Sequence, residues 1–183
     1  MTQEQFDRSI ARGEVLLTGF WQKEAHYGAP FFLLFLSAIS IVTSGYYYSD
    51  ENSTAFLKII LWVNIVLLSL SYLIYRIQKY RLKFQVVDTT LNHAQIKKVI
   101  ELVADQLEWK GQFTGNDIYE AKTDPGFFSG SWGEQITILI ACNKVFVNSI
   151  CDLDKRSSIV SFGRNAKNED VLIESINRAG KSV

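Results

Sequence analysis

The stretch EQITILIACNKVFVNSIC, residues 134–151, decides the fold of the C-terminal half of this chain. Two strand-like runs, Glu134 to Cys142 and Val145 to Cys151, flank Asn143-Lys144. Two such runs around a polar pair read as a β-hairpin. A two-residue turn at Asn143-Lys144 sets Cys142 opposite Val145. One face then carries Ile136, Ile138, Ile140, Cys142, Val145, Val147, Ser149 and Cys151. The other carries Gln135, Thr137, Leu139, Ala141, Phe146, Asn148 and Ile150. The first face is nearly all apolar, so the register buries one consistent set.

Outward from the hairpin, Leu82 to Val87 and Asp117 to Lys122 read as strands, and Ser158 to Phe162 as another. Asn92 with Gln95 forms a capping-box pattern. Ile96, Val99, Ile100, Val103 and Leu107 follow it at helical spacing, and Gly111 suits the helix stop. Asn168 is the expected cap of a last helix carrying Val171, Leu172, Ile176 and Ala179. The order strand, helix, strands, helix predicts an α+β domain, an antiparallel sheet with helices packed on one face. In the predicted register Cys142 and Cys151 lie about 20 Å apart and cannot bridge. Both read as reduced core thiols.

The N-terminal half is of another kind. No Asp, Glu, Lys or Arg occurs from Tyr27 to Ser49. Residues 30–48 (PFFLLFLSAISIVTSGYYY) make about 28 Å of helix, and residues 55–75 (AFLKIILWVNIVLLSLSYLIY) about 31 Å. Each matches a hydrocarbon core about 30 Å thick, so the pair reads as a transmembrane hairpin. Lys58, near one end, can snorkel. Arg76, Lys79, Arg81 and Lys83 follow the second span, while the loop at 49–54 holds Asp50 and Glu51 and no base. Basic residues stay inside, so both termini are expected in the cytoplasm. Tyr46, Tyr47 and Tyr48 suit the outer interface, and Tyr72, Tyr75 and Tyr80 the inner one. Three regions follow: a cytoplasmic N-terminal segment at 1–26, the hairpin at 27–78 and a soluble α+β domain at 79–183. Residues 82 to 183 are expected to fold by themselves.

With the turn centred near residue 52, Ser40 and Asn64 lie at equal depth. An amide in hydrocarbon needs a partner, so these two form the expected transmembrane contact. No acid, Arg or His lies within the spans 30–48 and 55–75, which disfavours a transporter or channel. The leader opens with Thr2 and Gln5, another capping box, and Gly13 interrupts its helix. Acids offset its bases, so it lacks the strong basic face of an amphipathic anchor. It lies on the membrane or packs on the soluble domain.

Of 183 residues, 19 are basic and 19 acidic, so net charge gives no nucleic-acid footprint. Two cysteines make no disulfide framework. Nucleophile elbow, dinucleotide fingerprint, phosphate loop, zincin helix and paired-cysteine motifs are all missing, and no cofactor is expected. His26 sits at the membrane edge, and His93 in a helix first turn has a solvated or capping role. Three weaker signals remain. Asp152 and Asp154 end a hydrophobic strand, where paired carboxylates can hold Mg²⁺ beside a phosphate. The pattern resembles phosphotransfer enzymes of the haloacid dehalogenase type, but Lys155 and Arg156 follow it and no parallel sheet surrounds it. Ser161, Gly163, Arg164, Asn165 and Lys167 lead into the last helix and make a candidate anion pocket. Phe127, Phe128 and Trp132, in a Gly-rich loop, are placed to dip into lipid or grip a partner.

The stretches SWGEQITILI, VNSICD and SFGRNAKN resemble motifs of an uncharacterised family of small bacterial membrane proteins with two N-terminal transmembrane helices and a soluble domain. The resemblance covers about forty residues, from Ser131 to Asp170, and implies no catalytic residue. The expected function is that of a membrane-anchored accessory or interaction protein without catalytic activity, in the bacterial inner membrane. Its partners would be the bilayer and another membrane protein or itself. The alternative is a membrane-bound enzyme acting on a phosphate-bearing or lipid substrate, with a divalent metal at Asp152 and Asp154.

Overall fold

The computed structural model describes residues 1–46, 53–125, 132–155, 161 and 163–181. Helix α1 (Gln3–Arg12) precedes two long helices, α2 (Phe20–Tyr46) and α3 (Ser53–Arg81). Strand β1 (Gln85–Asp88), helix α4 (His93–Gln106) and strands β2 (Lys110–Thr114), β3 (Ile118–Lys122), β4 (Glu134–Ala141) and β5 (Lys144–Cys151) follow, and helix α5 (Arg164–Gly180) ends the order. The five strands form one antiparallel sheet in the order β1-β5-β4-β3-β2. The fold is α+β: two long apolar helices, then an open antiparallel sheet with helices.

The β4–β5 turn falls at Cys142-Asn143, not Asn143-Lys144. Ala141 pairs with Lys144. Cys142 (φ 48°) and Asn143 (φ 60°) are both left-handed. That is a type I′ turn, and Asn tolerates its second position better than Lys does. The pairing moves by two residues, which leaves each strand residue on its face. Cys142 is therefore an exposed turn residue rather than a core thiol, and Cys151 is half-buried; both are free.

Helix α4 is capped by Asn92 and Gln95. It ends five residues before Gly111, in a Schellman turn: Trp109 N–H donates to the Ala104 carbonyl, with Glu108 left-handed. Gly111 instead lies in β2, where a Cβ would overlap Ala121 and the Glu120 backbone. Asn168 is not a cap either. Helix α5 starts at Arg164 behind a left-handed Gly163, and Asn168 lies buried in its second turn. The strand expected at 158–162 lies outside the described residues, apart from Ser161.

One sheet face is covered by α4 and α5. Ile96, Ile100, Val103, Leu172 and Ile176 pack on Tyr119, Ile136, Ile138, Ile140, Val145 and Val147. The other face is covered by the leader. Phe6 and Val15 join Leu82, Phe84, Ile118, Leu139, Phe146 and Ile150 in a second core. The terminal ammonium of Met1 pairs with Glu120 at 2.9 Å. Val15 N–H donates to the Leu82 carbonyl at 2.8 Å, and Phe84 N–H to the Gly13 carbonyl at 2.9 Å. The sheet domain is thus discontinuous: the leader belongs to it, and α2 and α3 are inserted between its first and second pieces.

The long helices pack on each other along a polar seam. Ser37 Oγ donates to Asn64 Oδ1 at 2.5 Å, and Asn64 Nδ2 donates to Ser40 Oγ at 3.1 Å and to the Ile60 carbonyl at 2.9 Å. Ser71 Oγ donates to the Pro30 carbonyl at 2.8 Å, and His26 Nε2 meets the Gln78 carbonyl at 2.9 Å. Asn64, Ser71 and Gln78 stand seven residues apart, the step that keeps one side of a helix on its partner. Large apolar side chains point outward. Both helices are long and apolar enough to cross a membrane.

Candidate functional site

Where α3 ends against the sheet, polar groups gather. Its last carbonyls lack helical donors. Asn148, buried on β5, serves the last of them: Nδ2 donates at 2.8 Å to the carbonyl of Arg81, which ends the helix, and at 2.9 Å to that of Lys83, two residues beyond it. Beside this junction lies a cleft of about 340 Å³ between the end of α3, β5 and the start of α5. Arg81, Lys83, Gln85, Ser149, Asn165 and Glu169 line it, with Ser161 and Gly163.

The cleft floor is a connected network. Ser149 Oγ donates to Asn165 Oδ1 and accepts from Asn168 Nδ2, both at 3.1 Å. Trp109 Nε1 donates to Asn168 Oδ1 at 3.3 Å. Glu169 Oε1 accepts Ser149 N–H at 2.7 Å, and Oε2 accepts Gln85 Nε2 at 3.4 Å. Burial pushes the Glu169 carboxyl above its ordinary range; these two donors oppose the shift, and neighbouring Asp170 adds to it. The cleft therefore offers two basic side chains and one easily protonated acid, at the end of an apolar helix.

The five residues of the expected anion pocket divide. Ser161, Gly163 and Asn165 reach the cleft. Arg164 turns away, its Nε donating to Glu134 Oε1 at 3.0 Å. Glu134 is fully buried and also accepts from the Thr123 hydroxyl. Lys167 is exposed outside the cleft. Ser149, Glu169, Arg81 and Lys83 were not legible as site residues, because three separate segments bring them together.

Asp152 and Asp154 do converge, but on a lysine. Lys122 Nζ lies 2.9 Å from Asp152 Oδ1 and also contacts Asp154. Burial alone would lower the Lys122 pKa; the two carboxylates outweigh it and raise it. The ammonium bridges the two carboxylates. Among the described residues no group of three metal-ligating side chains occurs. His93 is half-exposed, its Nε2 2.9 Å from Asp117 Oδ1. Trp132 is exposed, and Phe127 and Phe128 lie outside the described residues. No family model, curated protein or solved structure matches this chain.

Proposed function

We propose that this chain is a membrane-anchored accessory or interaction protein without catalytic activity. Helices α2 and α3 cross the inner membrane of a bacterium, and both termini and the sheet domain are cytoplasmic. The domain is a binding module, and the cleft at the base of α3 is its recognition site. The single observation that carries this reading is the inside-out hairpin. Phe31, Trp62 and Val66 are 57%, 67% and 60% exposed, while Asn64, Ser37 and Ser71 are buried in the seam. Such a surface suits hydrocarbon and not water. The basic end of α3 faces the sheet domain, in keeping with a cytoplasmic location.

Labelling of intact cells with an impermeant thiol reagent tests the topology. Native Cys142, exposed in its turn, is expected to react only after lysis. Thr54→Cys, in a chain with Cys142 and Cys151 replaced by Ala, is expected to react from outside. The opposite pattern overturns the orientation. For the cleft, a partner retained by the wild-type chain in mild detergent should be lost when Ala166, which also lines it, is replaced in Ala166→Trp and the larger ring fills it. Mg²⁺ is expected to leave thermal stability unchanged, because the Lys122 ammonium already bridges the two carboxylates and offsets one of their charges. Stabilisation by Mg²⁺ that disappears in Asp152→Ala would favour an enzyme.

A further inference from the structure

On the far side of the hairpin's base, two hollows meet. The first, about 480 Å³, lies between α1, the segment after it and the start of α2, and is lined by Arg8, Arg12, Glu14, Val15, Lys23 and Tyr27 among others. The second is an apolar groove of about 780 Å³ along α2, walled by Phe20, Phe31, Phe32, Phe35 and Tyr75. Lys23 and Tyr27 line both, so the hollows adjoin.

We propose that these hollows together bind one anionic phospholipid, its phosphate among Arg8, Arg12 and Lys23 and an acyl chain against the phenylalanines of α2. The proposal rests on the membrane reading above. Three observations support it. First, the headgroup hollow has three bases against one acid, Glu14, with Glu24 on the rim of the groove. That excess favours a phosphate without a compensating ammonium. Second, beyond Lys23 and Glu24 at its near end the groove meets no charge on α2, since Tyr27 to Ser49 holds no Asp, Glu, Lys or Arg. Polar head and then apolar tail is the order of a phospholipid. Third, the helix that carries the arginines is held in place. Phe6, on the same helix, is buried in the sheet's second core, and the Gly13–Val15 segment is bonded to Leu82 and Phe84. Among the described residues the one ion pair on these bases, Arg8 with Glu4 at 3.5 Å, is exposed and weak enough to yield.

The test uses the full chain in detergent, titrated with phosphatidylglycerol or phosphatidylcholine, with bound lipid counted by native mass spectrometry. Roughly tenfold or greater preference for phosphatidylglycerol is expected, since each base near an anionic surface contributes measurably. Arg12→Gln/Lys23→Gln should lose that preference. Arg76→Gln/Lys79→Gln removes equal charge from α3 outside the hollow and should keep it. Equal loss in both pairs would reduce the effect to diffuse charge and overturn the site, as would absence of any preference. Glycerol phosphate, the headgroup chemistry without chains, should not compete at equal concentration. If it does, the occupant is a soluble phosphate and the lipid assignment fails. Retention in membranes after alkaline washing is measured in parallel. Release of the wild-type chain would defeat the membrane reading itself, whereas retention without lipid preference would defeat only this proposal.

Discussion

Asn64 and Asn148 are both almost wholly buried, and each joins two parts of the chain, yet their surroundings are opposites. Asn64 sits in a polar seam between helices whose outer faces are apolar. Asn148 sits in an apolar core and fastens the end of α3 to the sheet. In the sheet domain, burying apolar surface drives packing, at about 25 cal/mol per Å². Between α2 and α3 that drive is absent if lipid surrounds them, and close contact and hydrogen bonds replace it. One chain therefore uses hydrogen bonds as connectors in one half and as packing glue in the other. The contrast predicts unequal costs for similar substitutions.

The largest effect is expected from the leader. Phe6 belongs to the second core, and deleting a buried aromatic costs about 3–5 kcal/mol. Phe6→Ala should lower the sheet domain's thermal midpoint sharply while leaving the helical hairpin folded. Residues 82–181 alone should show no cooperative transition by circular dichroism. Residues 1–18 joined to 82–181 by a flexible linker, with the hairpin removed, should restore one. A cooperative transition in the shorter fragment would show that the leader is dispensable.

Next in size is Asn148. Removing its amide leaves the part-buried Arg81 and Lys83 carbonyls without that donor, but also removes an Oδ1 that has no partner among the described residues, so the cost lies at the lower end of the ~1–3 kcal/mol for an unsatisfied polar group. Asn148→Leu should loosen the junction, seen as faster amide exchange over residues 79–84. Unchanged exchange there would mean that water replaces the amide without loss.

These two residues also mark where sequence reading stops. The apolar lengths of α2 and α3, the Asn92–Gln95 cap and the β4–β5 faces were legible because each is a local pattern. Strand β2 was not, since KGQFT at an exposed edge has no apolar alternation. The hairpin register is not legible either, because a two-residue shift preserves both faces. The leader's docking and the clustering of Arg8, Arg12 and Lys23 depend on contacts across some seventy residues of chain, as in the Val15–Leu82 bond. The same holds for the cleft, which joins Gln85, Ser149 and Glu169. Of the candidate sites, the Ser40–Asn64 contact was the most legible, because a short loop fixes the relative depth of two helices.

A smaller effect separates the halves by pH. Glu169 is raised above its ordinary 4.5, chiefly by burial. The folded state then holds its proton more tightly than the unfolded state. Its contribution is fully present below about pH 4.5 and is lost as pH rises through the raised value. Glu169→Gln should flatten the fall in sheet-domain stability across that window. Among the described residues the hairpin seam has no such carboxyl, so its stability should not follow this trend. An identical pH profile in wild type and variant would remove Glu169 from the account.

The smallest effect is expected at Asn64. Interhelical hydrogen bonds in membranes average about 0.6 kcal/mol, because the separated helices find other partners. The seam shows how. Thr43 Oγ1 already turns back to the Ile39 carbonyl at 2.9 Å, and Ser44 Oγ to the Ile41 carbonyl at 2.7 Å. In Asn64→Leu, Ser37 and Ser40 can do the same, so no hydroxyl is stranded. The variant should therefore be milder than Asn148→Leu, whose carbonyl partners cannot turn away. Thiol crosslinking in membranes, with Cys142 and Cys151 replaced by Ala, checks the geometry behind this ranking. Efficient closure within the chain is expected for Ser40→Cys/Asn64→Cys. A strong homodimer band from Asn64→Cys alone would mean that the amide faces a second copy, and its loss would then abolish a dimer rather than loosen a hairpin.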